Sequence, residues 1–137
     1  MLNKKGFTLI EAIIAILIFS IGIIAVNAMQ NSAIMGNLAA RQISEASKYA
    51  ADQLETLMNV SYASIVDTDG DGINGIDDKT VSTADGNTVS PDGLYNIYWN
   101  IVENYPVQDA KMIRVIVPSL NANGNDVVLN SIRIPNN

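Results

Sequence analysis

From Phe7 to Met29 the chain is apolar at nearly every position, and Glu11 is the only charge in that run. At a rise of about 1.5 Å per residue, a helix of this length covers roughly the 30 Å hydrocarbon core of a bilayer. From Asn27 the pattern becomes amphipathic. Met29, Ile34, Met35, Leu38, Ile43, Ala46, Ala50, Leu54, Leu57 and Met58 recur at steps near three and four, with Arg41, Glu45, Lys48, Asp52 and Glu55 between them. The spacing predicts one helix with a membrane half (7–29) and an amphipathic half (30–58) whose stripe suits a small sheet. No proline precedes Pro91, and Gly22 and Gly36 are its weak points, each costing about 1 kcal/mol against alanine. Unbroken from Phe7 to Met58, it would measure roughly 78 Å. Glu45 and Asp52 flank Lys48 at helical ion-pair spacing.

The periodicity then stops. Residues 59–93 carry Asp67, Asp69, Asp71, Asp77, Asp78, Asp85 and Asp92 against Lys79 alone, punctuated by five glycines. A long loop is expected here, and such loops are functional or disordered. Residues 94–137 read as strands: Tyr95–Val102 alternates with Tyr95, Ile97, Trp99 and Ile101 on one face, Lys111–Val117 is β-branched, and Val127–Ile134 follows a turn cluster. The expected architecture is α+β, a long N-terminal helix packed on a small antiparallel sheet with an acidic loop between them. Trp99 and the tyrosines fit core and cross-strand packing better than a ligand platform.

Length and composition narrow the chemistry. The 137 residues suffice for one small domain plus a membrane helix. Eight basic residues stand against 14 acidic ones, a formal charge of −6, and no basic patch appears, so nucleic acid is not an expected partner. Cysteine and histidine are both absent. Disulfide staples, the usual zinc sites, Ser-His-Asp triads and Cys nucleophiles are thereby excluded. Glu103 and Asp109 are isolated acids that suit a surface better than catalysis. An enzyme is the weakest reading.

The N-terminal run also carries a resemblance. Lys4-Lys5-Gly6-Phe7-Thr8-Leu9-Ile10-Glu11 resembles the processing signal of type IV pilins and the related secretion pseudopilins, and Ser20–Ala25 with Met29-Gln30 is similar to the membrane helix of PilV-type minor pilins. The resemblance implies that residues 1–6 are a leader, that a prepilin peptidase cuts after Gly6, and that the new amine of Phe7 is methylated. It implies too that Glu11 pairs with that amine on an adjacent subunit in the filament. Lys4 and Lys5 precede the apolar run, so the N-terminus should stay cytoplasmic and the rest be exported across the inner membrane, first among lipid and later in an extracellular filament. A secretory signal peptide fits poorly, because the run is too long and no small-x-small site closes it. Glu11 on its own admits a second reading, an interfacial carboxylate that snorkels and does nothing else.

Asp67-Thr-Asp-Gly-Asp-Gly-Ile-Asn-Gly-Ile-Asp-Asp78 has calcium-loop spacing. Asp67, Asp69 and Asp71 fill positions one, three and five, Gly72 the sixth, and Asp78 the twelfth. Calcium takes six to eight oxygens, and carboxylates one residue apart converge only if the backbone curls, which glycine allows. The expected ligands are Asp67, Asp69, Asp71, the Ile73 carbonyl and Asp78, with Asp77 as a substitute. Asp78 is one methylene shorter than the usual glutamate, and the loop resembles those of dockerins and thrombospondin repeats. The competing reading is a solvated acidic loop. Calcium here would be structural, or would bridge a ligand.

The function expected is a pilin-like subunit, a minor pilin serving filament assembly, adhesion or motility. Its partners would be other pilin subunits, the prepilin peptidase and the inner-membrane assembly machinery. A pseudopilin of a type II secretion system and a membrane-anchored calcium-dependent adhesin are the alternatives. A mere anchor needs neither Gly6-Phe7 nor Glu11, which weighs against the last.

Overall fold

The structure is a computed structural model and describes residues 7–122 and 124–135. The order of elements is α1 (Leu9–Asn59), β1 (Gly86–Val89), β2 (Asn96–Glu103), β3 (Lys111–Val117) and β4 (Val127–Arg133), with single 3-10 turns at Tyr62–Ser64 and Gly72–Asn74. The chain divides into two units at Ala40/Arg41.

The first unit is helical from Leu9 onward. Thr8 caps it: its Oγ1 accepts the Glu11 N–H at 3.3 Å, satisfying one of the orphan donors of a helix start. Apolar side chains here stay exposed among the described residues, Leu9, Ile16, Phe19 and Ile24 being 81, 65, 69 and 68% exposed. Ser20 donates its hydroxyl to the Ile16 carbonyl at 2.7 Å, so its hydrogen is satisfied inside the helix rather than by water. The helix is long and apolar enough to cross a membrane.

The second unit is an α+β fold. Its four strands form an antiparallel meander in the order β1-β2-β3-β4. Ala46 and Ala50 of α1 are buried against Ile97, Ile101, Ile113, Val115 and Val117, with Tyr49, Leu54, Leu57 and Met58 packed around them. Alanine at the contact lets the sheet come close to the helix backbone, and the larger side chains fill the margins. The apolar stripe thus engages the sheet only from about Ala46; Ile43 stays 56% exposed. Glu45 pairs with Arg41 at 2.8 Å rather than with Lys48, which lies 6.0 Å from the Tyr49 ring. Arg41 is largely exposed and Glu45 partly so, and the pair adds little stability.

One feature differs from the sequence reading, and a second lies outside it. The first is β1, which lies inside the stretch expected to be loop and makes the sheet four-stranded rather than three-stranded. Gly86 sits opposite Trp99, and a Cβ added there would meet the indole at 2.2 Å. The ring fills the space a side chain would have taken, so a weak strand-former is held in the sheet by its neighbour. The second is that β2 is buried on both faces. Tyr98, Asn100 and Val102 point away from α1 yet are 8, 3 and 4% exposed. The acidic loop covers Asn100. Asn100 Nδ2 donates to the carbonyls of Ile76 and Asp78 at 3.1 and 2.8 Å, and Ile76 is itself buried.

Candidate cation loop and assembly segment

The loop is built by its own carboxylates before any ligand is considered. Asp67 accepts the Gly70 N–H at 2.8 Å through Oδ1 and the Gly72 N–H at 3.0 Å through Oδ2. Asp69 Oδ1 accepts the Asp71 N–H at 3.3 Å. Gly70 and Gly72 take φ of +77° and +59°, left-handed values that a side chain resists, and so the chain can curl back on Asp67. The result brings one oxygen each from Asp67, Asp69 and Asp71 within 4.8 Å of one another. Gly75 completes the cradle: a Cβ there would fall 1.8 Å from the Asp71 carboxylate.

Gathering like charges has an electrostatic cost. Desolvation, then repulsion from Asp69, Asp78 and Asp67, pushes the Asp71 carboxyl above its ordinary value. Asp78 is therefore close enough to Asp71 to be felt. Asp77 turns elsewhere and forms an ion pair with Arg114 on β3. Ile73 lies in the 3-10 turn Gly72–Asn74 with its side chain half exposed. Three clustered hard oxygen donors, on a backbone already curled and with room kept by Gly75, suit a hard cation.

What holds this loop to the sheet was not read from the sequence. Asp85 accepts the Thr68 N–H through one oxygen and the Ile101 N–H at 2.7 Å through the other, clamping the start of the loop to β2. Burial raises its pKa more than these two hydrogen bonds lower it. Asn100, Arg114 and Asn130 form one row across β2, β3 and β4: they are register partners, Arg114 Nε donates to Asn130 at 2.8 Å, and Asn100 and Arg114 bond the loop. Lys79 reaches Asp126 at 2.6 Å, just before β4. A signal was present. Asn100 and Arg114 interrupt apolar strands at matching parity, which marks a face that is covered by polar backbone.

At the other end of the chain, Gly6 lies outside the described residues, and Phe7 is 85% exposed at the mouth of α1. Glu11 occupies the first turn, in the third helical position after the Thr8 cap. Thr8-x-x-Glu11 is thus a capping-box sequence, and a carboxylate here also faces the positive end of the helix dipole. Glu11 therefore has a local role beyond the two readings above. Residues 1–27 match the family model of the prokaryotic N-terminal methylation motif. Over that segment the match supports a relation to type IV pilins and pseudopilins. The motif marks a structural pilin-type subunit and not an enzyme. It implies handling by a prepilin peptidase and assembly with other pilins. The exposed apolar helix of this pilin-like chain fits a membrane anchor. No curated protein and no solved structure matches the chain.

Proposed function

We propose that the chain is a minor pilin of the PilV type, cut after Gly6, methylated on Phe7 and built into a type IV filament through α1. The observation that carries this is the methylation motif leading into a helix whose apolar residues are exposed among the described residues. Lipid satisfies that surface before assembly, and neighbouring helices satisfy it afterwards. The inner membrane is then the site of insertion, with the N-terminus cytoplasmic, and the filament the destination. Replacing Gly6 by leucine is expected to leave a full-length precursor in the membrane, because a peptidase that cuts beside glycine has no room for a bulky side chain. Intact-mass measurement of wild type should find Phe7 first, carrying one methyl group. A mature N-terminus elsewhere, or normal processing of the Gly6→Leu variant, would remove the assignment.

The acidic loop we read as a structural calcium site, with Asp67, Asp69, Asp71 and Asp78 as the carboxylates and the Ile73 carbonyl as a further oxygen. Asp77, engaged with Arg114, is left as a tether. The support is the convergence of three carboxylates and the raised pKa of Asp71. Bound calcium would replace repulsion by attraction in the segment that covers β2. Extracellular calcium modules bind at about 10⁻⁴ to 10⁻³ M, and a short twelfth-position carboxylate suits that range. With about 1 mM calcium and a Kd of about 0.1 mM, mass action adds roughly 1.4 kcal/mol. For a domain of this size that is several degrees in Tm.

The melt can be followed by the single tryptophan, Trp99, on the full chain in detergent. Asp69→Ala should abolish the calcium shift and Glu55→Ala, on the exposed helix face, should keep it. The pH dependence has a definite sign. Asp71 has a raised pKa, so calcium loses a ligand to protons at a higher pH than an ordinary aspartate would allow, and affinity falls as pH drops through that range. Without calcium the same shift works the other way: protonation relieves the cluster, and this contribution to stability is lost as pH rises. A melting curve indifferent to calcium up to about 10 mM, far above that affinity range, would return the stretch to a solvated acidic loop.

A further inference from the structure

Both outer edges of the sheet are open. Among the described residues, neither β1 nor β4 has a backbone partner on its outer side. A groove of about 490 Å³ runs between β1 and α1, bounded by Tyr49, Asp52, Thr56, Val89 and Pro91, and it leaves the β1 edge uncovered. The β4 edge is the more unusual of the two. It is seven residues long, contains no acidic residue, and exposes Val128 and Ile132 at 43 and 53%, with Ile134 beyond them at 63%. Arg133, its one charge, is turned onto the carbonyls of Leu57 and Val60 at the end of α1. Proteins keep edges from pairing by making them short, charged or proline-bearing, and β4 has none of these devices before Pro135.

The topology says what fits there. In an antiparallel meander with an even number of strands, the two edge strands run in opposite directions. Copies standing side by side in one orientation therefore set β4 of one beside β1 of the next, antiparallel, which is the arrangement that extends the ladder. Copies inserted through the same N-terminal helix share that orientation. We propose that the β4 edge receives the β1 edge of a neighbouring copy, so that subunits join head to tail into a continuous sheet. This rests on the anchored-subunit reading given above.

Charge does not oppose the pairing within the strands: β1 (Gly-Asn-Thr-Val) carries none and β4 only Arg133, so the paired residues of a chain of net charge −6 bring no like charges together. The contact is heterologous. Each copy offers one edge and accepts the other, and the contact repeats instead of closing into a pair. Only four residues of β1 take part, so the contact is weak alone and works on subunits that the membrane or filament already concentrates. On the face turned from α1, Asn87, Tyr98, Ile116 and Val128 already lie in one row across the four strands. Asn87 of one copy would then neighbour Val128, Asn130 or Ile132 of the next.

The test uses the absence of cysteine, so that introduced thiols are the only ones. Directly opposed residues have Cβ atoms about 4.5–5.5 Å apart, close to disulfide reach. Full-length chains carrying Asn87→Cys together with Val128→Cys, Asn130→Cys or Ile132→Cys are oxidised in membranes and run without reductant. Within one chain the two thiols are three strand spacings apart, roughly 14 Å, and cannot join. One of the three combinations should give a ladder of dimer, trimer and higher species. Thr88→Cys, on the opposite face of β1, should give none with the same partner. Adding Ile132→Lys to the Asn87→Cys/Val128→Cys or Asn87→Cys/Asn130→Cys chain should suppress its ladder, since an edge lysine opposes pairing.

Chains that resist carbonate extraction yet form no ladder overturn the proposal. So does equal cross-linking from Thr88→Cys, or a dimer from a β4 cysteine alone, which would mean two-fold pairing of β4 with itself. A chain that carbonate strips from the membrane would sink the anchored-subunit reading instead, while the ladder would still decide the edge pairing.

Discussion

Changing Glu11 to glutamine should leave the chain in the membrane and largely remove it from filaments. The substitution keeps the shape and keeps the capping box, since glutamine serves as well as glutamate at that position. The Thr8 cap uses the Glu11 backbone N–H, which is untouched, so α1 should form normally. Removing a carboxylate from a helix that enters lipid makes insertion easier rather than harder. What is lost is the charge that, in the proposed filament, meets the Phe7 amine of a neighbour. Hydrogen bonds to charged groups contribute about 1.5–3 kcal/mol, and each 1.4 kcal/mol is tenfold in an equilibrium, so incorporation should fall roughly ten- to hundredfold. Quantitative immunoblotting of sheared filaments against membrane fractions reads this directly. Equal incorporation of wild type and variant would mean that Glu11 does no more than cap and complement the helix start.

The second large effect belongs to Asn100. It is 3% exposed, donates to the Ile76 and Asp78 carbonyls, and accepts the Asp85 N–H at 3.3 Å. Asn100→Leu keeps the branched shape, adds bulk, and strands three backbone groups at the interface between loop and sheet. A buried group left without a partner costs about 1–3 kcal/mol, so with some relaxation toward water the variant should lose roughly 2–4 kcal/mol. Asn87→Ala, exposed on β1, should stay within about 0.5 kcal/mol of wild type. Urea unfolding followed by Trp99 fluorescence separates the two. The calcium-dependent stabilisation should shrink as well, although Asp67, Asp69 and Asp71 are unchanged, because the loop would no longer be tied down. An Asn100→Leu protein as stable as wild type would mean that the loop does not depend on its seat on β2.

The helix was legible in the sequence because hydropathy is a local property. An apolar run of membrane length, a three-and-four stripe after it and no proline before Pro91 define α1 whatever else the chain does. β2, β3 and β4 were legible for the same reason, as alternating or β-branched runs between turn residues. The spacing of Asp67, Asp69 and Asp71 with Gly72 likewise foretold that these carboxylates converge, since the turn is made by residues within the motif.

The rest required partners distant in the chain. β1 reads as loop because Gly86 is a poor strand-former, and only the indole of Trp99 across the ladder makes it a strand. The sequence leaves open what the far face of β2 meets, and only the folded loop reveals that the Asn100 amide is spent on buried carbonyls. Asp77 and Asp85 look like members of one acidic run, but the tertiary structure separates them. Arg114 draws the first away to the sheet, and the Ile101 N–H fixes the second beneath the loop. A carboxylate is read from sequence by its charge; its role is set by which donor reaches it, and here those donors lie 16 and 37 positions further along the chain.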